Sequence, residues 1–171
     1  MKKTLFFTLM CLLALSASAQ KFVDLGLPSG TLWKDKDQPG LLEFYNAVEM
    51  YGNKLPTEAE LQELKEYCEW EWYSEYKYGI CWTAQYIVTG PNGNQIIFEC
   101  NGYEGWSSYK EDWILHEHNE YGHFWGADKV WNSYYNKYET NASELEMGVD
   151  KLRVTSASKS YKYSVHLVRR P

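Results

Sequence analysis

The sequence predicts an α+β fold, in which two helices come first and antiparallel strands make up most of the remainder. Two observations indicate this. Apolar residues recur at helical spacing within 41–68, and alternating apolar segments lie on both sides of a turn-forming cluster at 90–94. The 171 residues suit a single domain that buries a full core.

Short strands and a first helix are predicted near the start. Residues 22–25 alternate briefly before a turn rich in Gly and Pro, and residues 31–33 follow as a second short strand. The segment 34–40 has the charge, Pro and Gly content of a loop. Apolar residues at near-helical spacing from 41 to 50, with Gly52 after them, predict the first helix.

The second helix has a stronger start signal. The Thr57 hydroxyl can cap the helix while the Glu60 side chain reaches back, which makes a capping box. The apolar stripe of this helix consists of Leu61, Leu64 and Cys68. Glu58 and Glu60 could be a pair of catalytic carboxylates, but we interpret them as charges that the helix dipole favours.

A β-hairpin is predicted after the helices. Residues 86–89 and 95–100 have strand composition, and the intervening 90–94 can supply the positive φ values of a turn. Residues 102–138 show no sustained period, so we expect long loops with short strands inside them. Closing strands are predicted at 143–154 and at 161–168.

The first nineteen residues have the pattern of an export signal. Lys2 and Lys3 precede an apolar run at 5–15, which is too short to span a bilayer, and small residues follow it. We therefore divide the chain into a signal peptide at 1–19 and a single domain at 20–171.

The mature chain is expected to be secreted, periplasmic or at the cell surface. A lipid anchor at Cys11 would need a small residue before it, and Met10 is not small. The chain has 23 acidic and 17 basic residues, a formal net charge of −6, which disfavours nucleic acid as a partner. Nothing after residue 20 resembles a transmembrane segment.

Aromatic residues are the outlier of the composition. The 8 Trp and 15 Tyr residues exceed what one core of this size encloses. We interpret Trp33, Trp70, Trp72 and Trp125 as structural. Aromatic residues in the predicted loops are candidates for a ligand-binding surface, with core packing as the competing interpretation. These candidates are Trp106, Trp113, Trp131, Tyr134 and Tyr135.

The sequence implies no cofactor. His116, His118 and His123 are weak candidates for a metal site, because imidazoles at i and i+2 share one face of a strand. Their spacing matches no known signature, so we prefer to interpret them as surface histidines. No catalytic motif, phosphate-binding loop or calcium motif stands out in the chain.

Three cysteines remain after removal of the export signal, so at least one is unpaired in a monomer. The predicted hairpin places Ala84 near Cys100 with Cys81 a few residues beyond, and a bend at 82–83 would bring the two sulfurs into disulfide range. Because export favours oxidation, we expect a Cys81–Cys100 disulfide. The alternatives are a disulfide between Cys68 and one of the other two cysteines, or three free thiols.

Several motifs follow one another along nearly the whole of 20–171. They are Val23-Asp24-Leu25-Gly26-Leu27-Pro28-Ser29-Gly30-Thr31-Leu32-Trp33, Lys54-Leu55-Pro56-Thr57 with Glu60, Cys68-x-Trp70-x-Trp72, Val88-Thr89-Gly90-Pro91-Asn92-Gly93-Asn94, Gly102-Tyr103, Gly122-x-Phe124-Trp125 and Tyr163-Ser164-Val165-His166-Leu167-Val168-Arg169. In these motifs the chain resembles the Fibrobacter succinogenes major paralogous domain family, which consists of secreted modules of Bacteroidetes and related bacteria. The resemblance implies a C-type-lectin-like fold, in which two helices flank small antiparallel sheets and the last strand returns beside the first.

The resemblance leaves two classes of function. The first is a non-catalytic binding module that presents its aromatic-rich loops to an extracellular glycan or protein. The second is an extracellular enzyme, by analogy of fold with the formylglycine-generating enzymes, which bind copper through paired cysteines. Analogy of fold is weak evidence for activity, and that enzyme would need free thiols where export favours a disulfide. We therefore expect the binding module.

The export signal makes a direct prediction. Protein recovered from the cell envelope or the culture fluid should begin at Gln20, because the small residues at 17–19 suit cleavage there. Mass spectrometry of the intact chain measures this. An intact Met1 terminus would contradict the prediction.

Overall fold

The computed structural model describes residues 21–132 and 137–171, with side chains described outside 129–139. The predicted signal peptide at 1–19 lies outside the described residues. The helices are α1 (Phe44–Tyr51) and α2 (Glu58–Tyr67), and a 3₁₀ turn follows α1 at Gly52–Lys54. No helix in the described ranges is long and apolar enough to cross a membrane. The strands are β1 (Phe22–Asp24), β2 (Leu32–Lys34), β3 (Leu42–Glu43), β4 (Glu69–Lys77), β5 (Ile80–Thr89), β6 (Gln95–Glu99), β7 (Tyr103–Ser107), β8 (Asp112–His116), β9 (Tyr121–Asn132), β10 (Lys137–Gly148), β11 (Lys151–Ser158), β12 (Tyr161–Tyr163) and β13 (Val168–Arg169).

The strands form small antiparallel sheets. Their orders are β1-β2-β13, β11-β10-β9, β3-β12-β7-β8 and β4-β5-β6. Together with α1 and α2, these sheets confirm the predicted α+β class.

The end of the chain returns to the sheet in which it begins. β13 pairs with β2, which places Val168 opposite Trp33, and β1 pairs with the other side of β2. The expectation that the first and last strands are adjacent is therefore wrong by one strand position. The turn after β1 brings β2 directly against it, and the last strand pairs with the other side of β2.

The predicted capping box is present at the start of α2. The Thr57 hydroxyl accepts a hydrogen bond from the backbone N–H of Glu60 at 3.2 Å, and the Glu60 carboxylate accepts one from the backbone N–H of Thr57 at 2.7 Å. These bonds satisfy N–H groups that have no partner within the helix. Glu60 therefore helps to begin the helix, as the interpretation of its charge expected.

Glu60 also joins α2 to the segment before β2 and to the segment after β13. Its carboxylate accepts hydrogen bonds from Arg170 at 2.6 Å and from the Thr31 hydroxyl at 3.1 Å. Burial raises the pKa of Glu60, but the hydrogen bonds from Arg170 and Thr57 outweigh it and hold the pKa below its ordinary value. The carboxylate is thus ionised where it bridges the helix, the segment before β2 and the C-terminus.

Two hydrophobic clusters make up the core. One contains Trp33, with residues of β5 and β6 and the apolar stripe of α2. The other surrounds Trp125 and Phe44, whose rings meet edge to face at 5.5 Å. Trp33 and Trp125 are fully buried, and Trp70 and Trp72 are partly buried against the first cluster. The structural interpretation of these four tryptophans is confirmed.

The predicted hairpin is confirmed. Its first strand, β5, begins six residues earlier than expected, and its second strand, β6, ends one residue earlier. Val88 lies opposite Ile96, and the backbone N–H of Cys100 donates to the Ala84 carbonyl at 2.8 Å. β4 begins at Glu69, directly after α2, and adds a third strand to this sheet.

The prediction of long loops with short strands inside them for 102–138 is wrong in its proportions, because the described residues of this segment are mainly β-structure. β7 and β8 form a hairpin there, and β9 follows with twelve residues. Glycine hides the period of β9, because positions 122 and 126 have no side chain to show which face they occupy. A Cβ at Gly126 would lie 2.2 Å from the Ser143 Oγ atom, so close packing requires glycine there. Register shifts between β9 and β10 disturb the alternation further.

Both predicted closing strands are divided in the structure. The segment 143–154 contains a turn, and β10 and β11 pair across it with Gly148 opposite Lys151. The segment 161–168 contains β12 and the start of β13, which lie in different sheets. Apolar residues on both sides of each break made each segment look continuous.

Removal of the Thr57 cap should destabilise the domain. We expect Thr57→Ala to lower the free energy of unfolding by about 1 kcal/mol, because the N–H of Glu60 loses its acceptor. Thr57→Ser retains a capping hydroxyl and is the matched control. Urea denaturation of the three proteins measures the difference, and equal midpoints for the alanine and serine variants would contradict the prediction.

Candidate functional site

Two of the predicted binding residues meet on an exposed sheet face. Trp106 on β7 lies directly opposite Trp113 on β8, and their rings meet edge to face at 5.8 Å. The Trp106 side chain is 56% exposed. Because side chains at i and i+2 share a face of a strand, Glu104 and Leu115, which are opposite one another, extend this surface.

Lys162 on the neighbouring strand β12 completes the surface. Its ammonium group lies 4.0 Å from the centre of the Trp113 ring and 2.9 Å from the Glu104 carboxylate. The first contact is a cation–π interaction and the second is an ion pair. We call these five residues, Glu104, Trp106, Trp113, Leu115 and Lys162, the Trp106 platform.

A cleft of about 460 Å³ opens beside this platform. Glu104 and Leu115 belong to both, so the two surfaces are continuous. We call it the Gln38 cleft, and it is lined by Lys36, Asp37, Gln38, Pro39, Gly40, Leu41, Glu99, Asn101, Glu104, Leu115 and His118. The lining combines amide, carboxylate and imidazole groups with apolar walls, which is the composition of a small-molecule binding site.

Gln38 stands out in the lining of the cleft. The residue is only 6% exposed, and its backbone N–H donates to the Val165 carbonyl at 2.8 Å. Its side-chain Nε2 atom is buried and has no hydrogen-bond partner among the described residues. Buried polar groups without partners are rare in folded proteins and costly, and the described residues contain three others, on Trp33, Thr140 and Ser164.

Asp37 fixes the backbone beside Gln38. The Asp37 carboxylate contacts the buried His166 ring at 2.6 Å and accepts a hydrogen bond from the backbone N–H of Glu99 at 2.8 Å. Burial raises the pKa of Asp37 despite the opposing effect of His166. These contacts tie the loop before β3 to β6 and to the C-terminal segment.

The sheet that contains β7 and β12 covers a second cluster of polar side chains with the face opposite the Trp106 platform. His123 is buried between two carboxylates: its Nδ1 atom lies 2.6 Å from Glu144 and its Nε2 atom 2.9 Å from Glu117. The Tyr103 and Tyr163 rings pack against the imidazole at 5.1 and 5.0 Å. We call these five residues the His123 cluster.

The two carboxylates favour the imidazolium form of His123. Each ring nitrogen can donate to a carboxylate only if both carry a proton. Burial lowers the pKa of His123, but the hydrogen bonds to Glu144 and Glu117 outweigh it and raise the pKa above its ordinary value.

The His123 cluster holds the turn that carries His118 into the Gln38 cleft. Glu117 and Asn119 have positive φ values of 56° and 61°, which are uncommon for residues other than glycine. The backbone N–H of Asn119 donates to the Cys100 carbonyl at 2.8 Å, and the Glu117 side chain is held by His123. One side of the cleft therefore depends on the ion pair between His123 and the partly exposed Glu117.

The three candidate metal ligands do not form a metal site. His116 stacks on Tyr103 at 5.0 Å, His118 lines the Gln38 cleft, and His123 is occupied by two carboxylates. No group of three or more His, Cys, Asp or Glu side chains within 21–132 and 137–171 is arranged to hold a metal ion.

The expected disulfide is not formed in the structure, where Cys68, Cys81 and Cys100 are free thiols. Cys100 pairs with Ala84, and three residues of extended strand, about 10 Å, separate Ala84 from Cys81. The Cys81 thiol donates to the Thr83 carbonyl at 3.5 Å, while Cys100 is buried in the core. The strand is bulged at Trp82, yet the two thiols are not bonded.

The other predicted binding residues lie where the structure describes no side chains. Trp131 lies in β9, where its side chain is not described, and Tyr134 and Tyr135 lie outside the described residues. Sequence reasoning missed Gln38 and Lys162. Nothing local distinguishes either residue, because each gains its place through strands distant in sequence.

Comparison with family models, curated proteins and solved structures found no match to this chain.

Raising the pH should lower the stability of the folded protein, because His123 loses its proton. Its pKa is higher in the folded state than in the unfolded chain, so its stabilisation is complete below the ordinary imidazole pKa of about 6.5 and is lost as the pH rises through the folded value. We expect the urea midpoint of the wild type to fall across that range, and to change less in His123→Gln.

His118→Gln is the matched control for this measurement. His118 is exposed and has no carboxylate partner among the described ion pairs, so this variant should keep the wild-type dependence on pH. Parallel profiles for His123→Gln and the wild type would show that His123 does not carry the effect.

Proposed function

We propose that this protein is an exported, non-catalytic module that binds a glycan across the Trp106 platform and the Gln38 cleft. The proposal includes membership of the Fibrobacter succinogenes major paralogous domain family and the C-type-lectin-like fold that the resemblance implies. Two helices, small antiparallel sheets and the return of the last strand to the first sheet are compatible with that fold.

The single observation that carries the proposal is the continuity of the Trp106–Trp113 pair with a cleft lined by amide and carboxylate groups. An indole presents a flat apolar surface on which the carbon-bound hydrogens of a sugar ring can stack. Amide and carboxylate groups, such as those of Asn101, Glu99 and Glu104, are suitable partners for hydroxyl groups. A polyhydroxylated ring uses both kinds of contact together.

The contacts among the platform residues favour a role of this surface in ligand recognition. The Trp106 and Trp113 rings are held by each other, and Lys162 fixes the second ring through its ammonium group. Side chains that are already ordered lose little conformational entropy on binding. This ordering distinguishes the platform from isolated surface aromatics, which need no explanation.

The cysteines are free thiols, as the copper-enzyme alternative requires, but the surroundings of Cys68 and Cys100 do not favour metal binding. Burial raises the pKa of Cys68 to about 11 and that of Cys100 to about 12, so both are protonated thiols near neutral pH. The thiolate is the form that binds metals and acts as a nucleophile. These environments are typical of cysteines that pack as small hydrophobic residues.

Substitution of Trp106 should weaken glycan binding. We expect the wild-type domain to bind at least one glycan on an array, and Trp106→Ala to weaken that interaction by about 30-fold, a typical effect for an aromatic anchor. Titration calorimetry with the bound glycan measures the loss, and thermal unfolding verifies that the variant is folded.

Trp82→Ala is the matched control for Trp106→Ala. Trp82 is 67% exposed but lies on β5, in a different sheet, so its loss should leave the affinity unchanged. Equal losses in the two variants, or an unchanged affinity in Trp106→Ala, would contradict the proposed site.

A further inference from the structure

The hairpin of β4 and β5 ends in a group of exposed apolar side chains. β6 pairs with β5 only over 85–89, so the end of this hairpin consists of two strands. Four large side chains there, those of Tyr76, Tyr78, Ile80 and Trp82, are between 67% and 93% exposed. We call residues 76–82 the aromatic tip. Exposed apolar side chains that lie together, rather than singly, are typical of a contact site.

Tyr78 occupies a turn position that suits other residues better. Tyr78 and Gly79 connect the two strands, and both have positive φ values, of 54° and 79°. Turns of this kind prefer Asn followed by Gly, and a bulky residue in this region of φ is uncommon. The Tyr78 ring is almost fully exposed and contacts the Lys77 ammonium group. The fold gains little from this ring, which favours a contact outside the protein.

The apolar side chains surround the end of the hairpin instead of forming one flat face. Lys77 lies opposite Ile80, and Tyr76 lies opposite Cys81. Because successive residues of a strand point to opposite faces, Ile80 and Tyr76 are on different faces of the hairpin, and Tyr78 is at its end. A flat protein surface could contact only one of these faces. A fluid apolar medium can contact all of them together.

The charge of the aromatic tip differs from that of the rest of the chain. Residues 76–82 contain no Asp or Glu, although the chain has 23 of them, and Lys77 is the one charged residue in this segment. Its ammonium group lies 5.7 Å from the centres of the Tyr78 and Trp82 rings. A lysine can bury its carbon stem while its charge stays in water, whereas a carboxylate is costly to remove from water.

We infer that the aromatic tip enters the surface of a lipid bilayer and holds the domain against it. Tyr and Trp combine an apolar ring with a polar atom and favour the boundary between headgroups and acyl chains. Three residues of strand, about 10 Å, separate Glu75, the nearest carboxylate along β4, from Tyr78. That length matches the depth of about 5–10 Å to which amphipathic surface elements enter a bilayer.

Vesicles of dioleoylphosphatidylcholine are the probe, because they carry no net charge. We expect the wild-type protein to sediment with sucrose-loaded vesicles, equally at low and high salt, because salt screens charges and not apolar contacts. The double variant Tyr78→Asn/Trp82→Ser should lower the partition coefficient about tenfold or more, since two large side chains lose their apolar contact. Asn suits the turn, so urea denaturation should show that the variant stays folded.

Two further variants are controls. Tyr109→Ser alters a side chain that is 95% exposed in the turn between β7 and β8, but Glu111 and Asp112 follow it closely, so this variant should partition as the wild type does. Trp82→Phe keeps an aromatic ring and should also partition. In vesicles that contain brominated phosphatidylcholine, which quenches nearby indoles, this second variant should lose most of the quenching seen in the wild type.

The outcomes separate a bilayer from other partners of the tip. Absence of wild-type partition, loss of partition at high salt, or equal partition of the double variant would overturn the inference. A wild-type dimer in analytical ultracentrifugation that the double variant converts to a monomer, without vesicle binding, would also overturn it and identify a second copy as the occupant. The aromatic tip and the Trp106 platform lie in different sheets, so none of these results bears on glycan binding, which Trp106→Ala tests separately.

Discussion

The three-residue strand β12 is the element on which both faces of the candidate site depend. It pairs with β3 on one side and with β7 on the other, so it holds together a sheet whose strands come from distant parts of the chain. Alternation along β12 places Lys162 on the outer face, against Trp113 and Glu104, and Tyr163 on the inner face, stacked on Trp125 at 4.3 Å. A slip of one residue would exchange the two faces and would separate the Trp106 platform from its charged neighbour. The close packing of Tyr163 in the core thus fixes the register of an exposed surface.

Buried charged side chains hold in place two segments that lie outside this sheet. Glu144 with His123 anchors the turn at 117–120, and Asp37 with His166 anchors the loop before β3. Removing such pairs from water carries a large desolvation cost, so they add less net stability than their short distances suggest. Their consequence is geometric, because each pair accepts one arrangement of its partners. Both anchored segments line the Gln38 cleft. The walls of the cleft are therefore loops, but contacts with the core fix these loops in position.

Local signals predicted the elements that local interactions form. The capping box at Thr57 and the turn at 90–94 depend on residues close in sequence, and both are found as expected. β9 escaped prediction because Gly126 and the register shifts with β10 mask its alternation. The candidate site divides in the same way. Residue type alone indicated Trp106 and Trp113, whereas Gln38 acquires its meaning only when strands some 60 residues away close over it.

The sequence predicted loops around Trp106 and Trp113, whereas the structure has strands. This difference changes the entropy cost that we expect for binding at these tryptophans. A flexible aromatic loop would lose conformational entropy when it closes on a ligand, and that loss would reduce the affinity gained from its contacts. β7 and β8 instead present Trp106 and Trp113 on a hydrogen-bonded ladder with fixed spacing. A surface of this kind selects ligands by the match between its spacing and theirs, because it cannot adapt to them. The adjoining cleft adds carboxylate, amide and carbon surfaces to this selection.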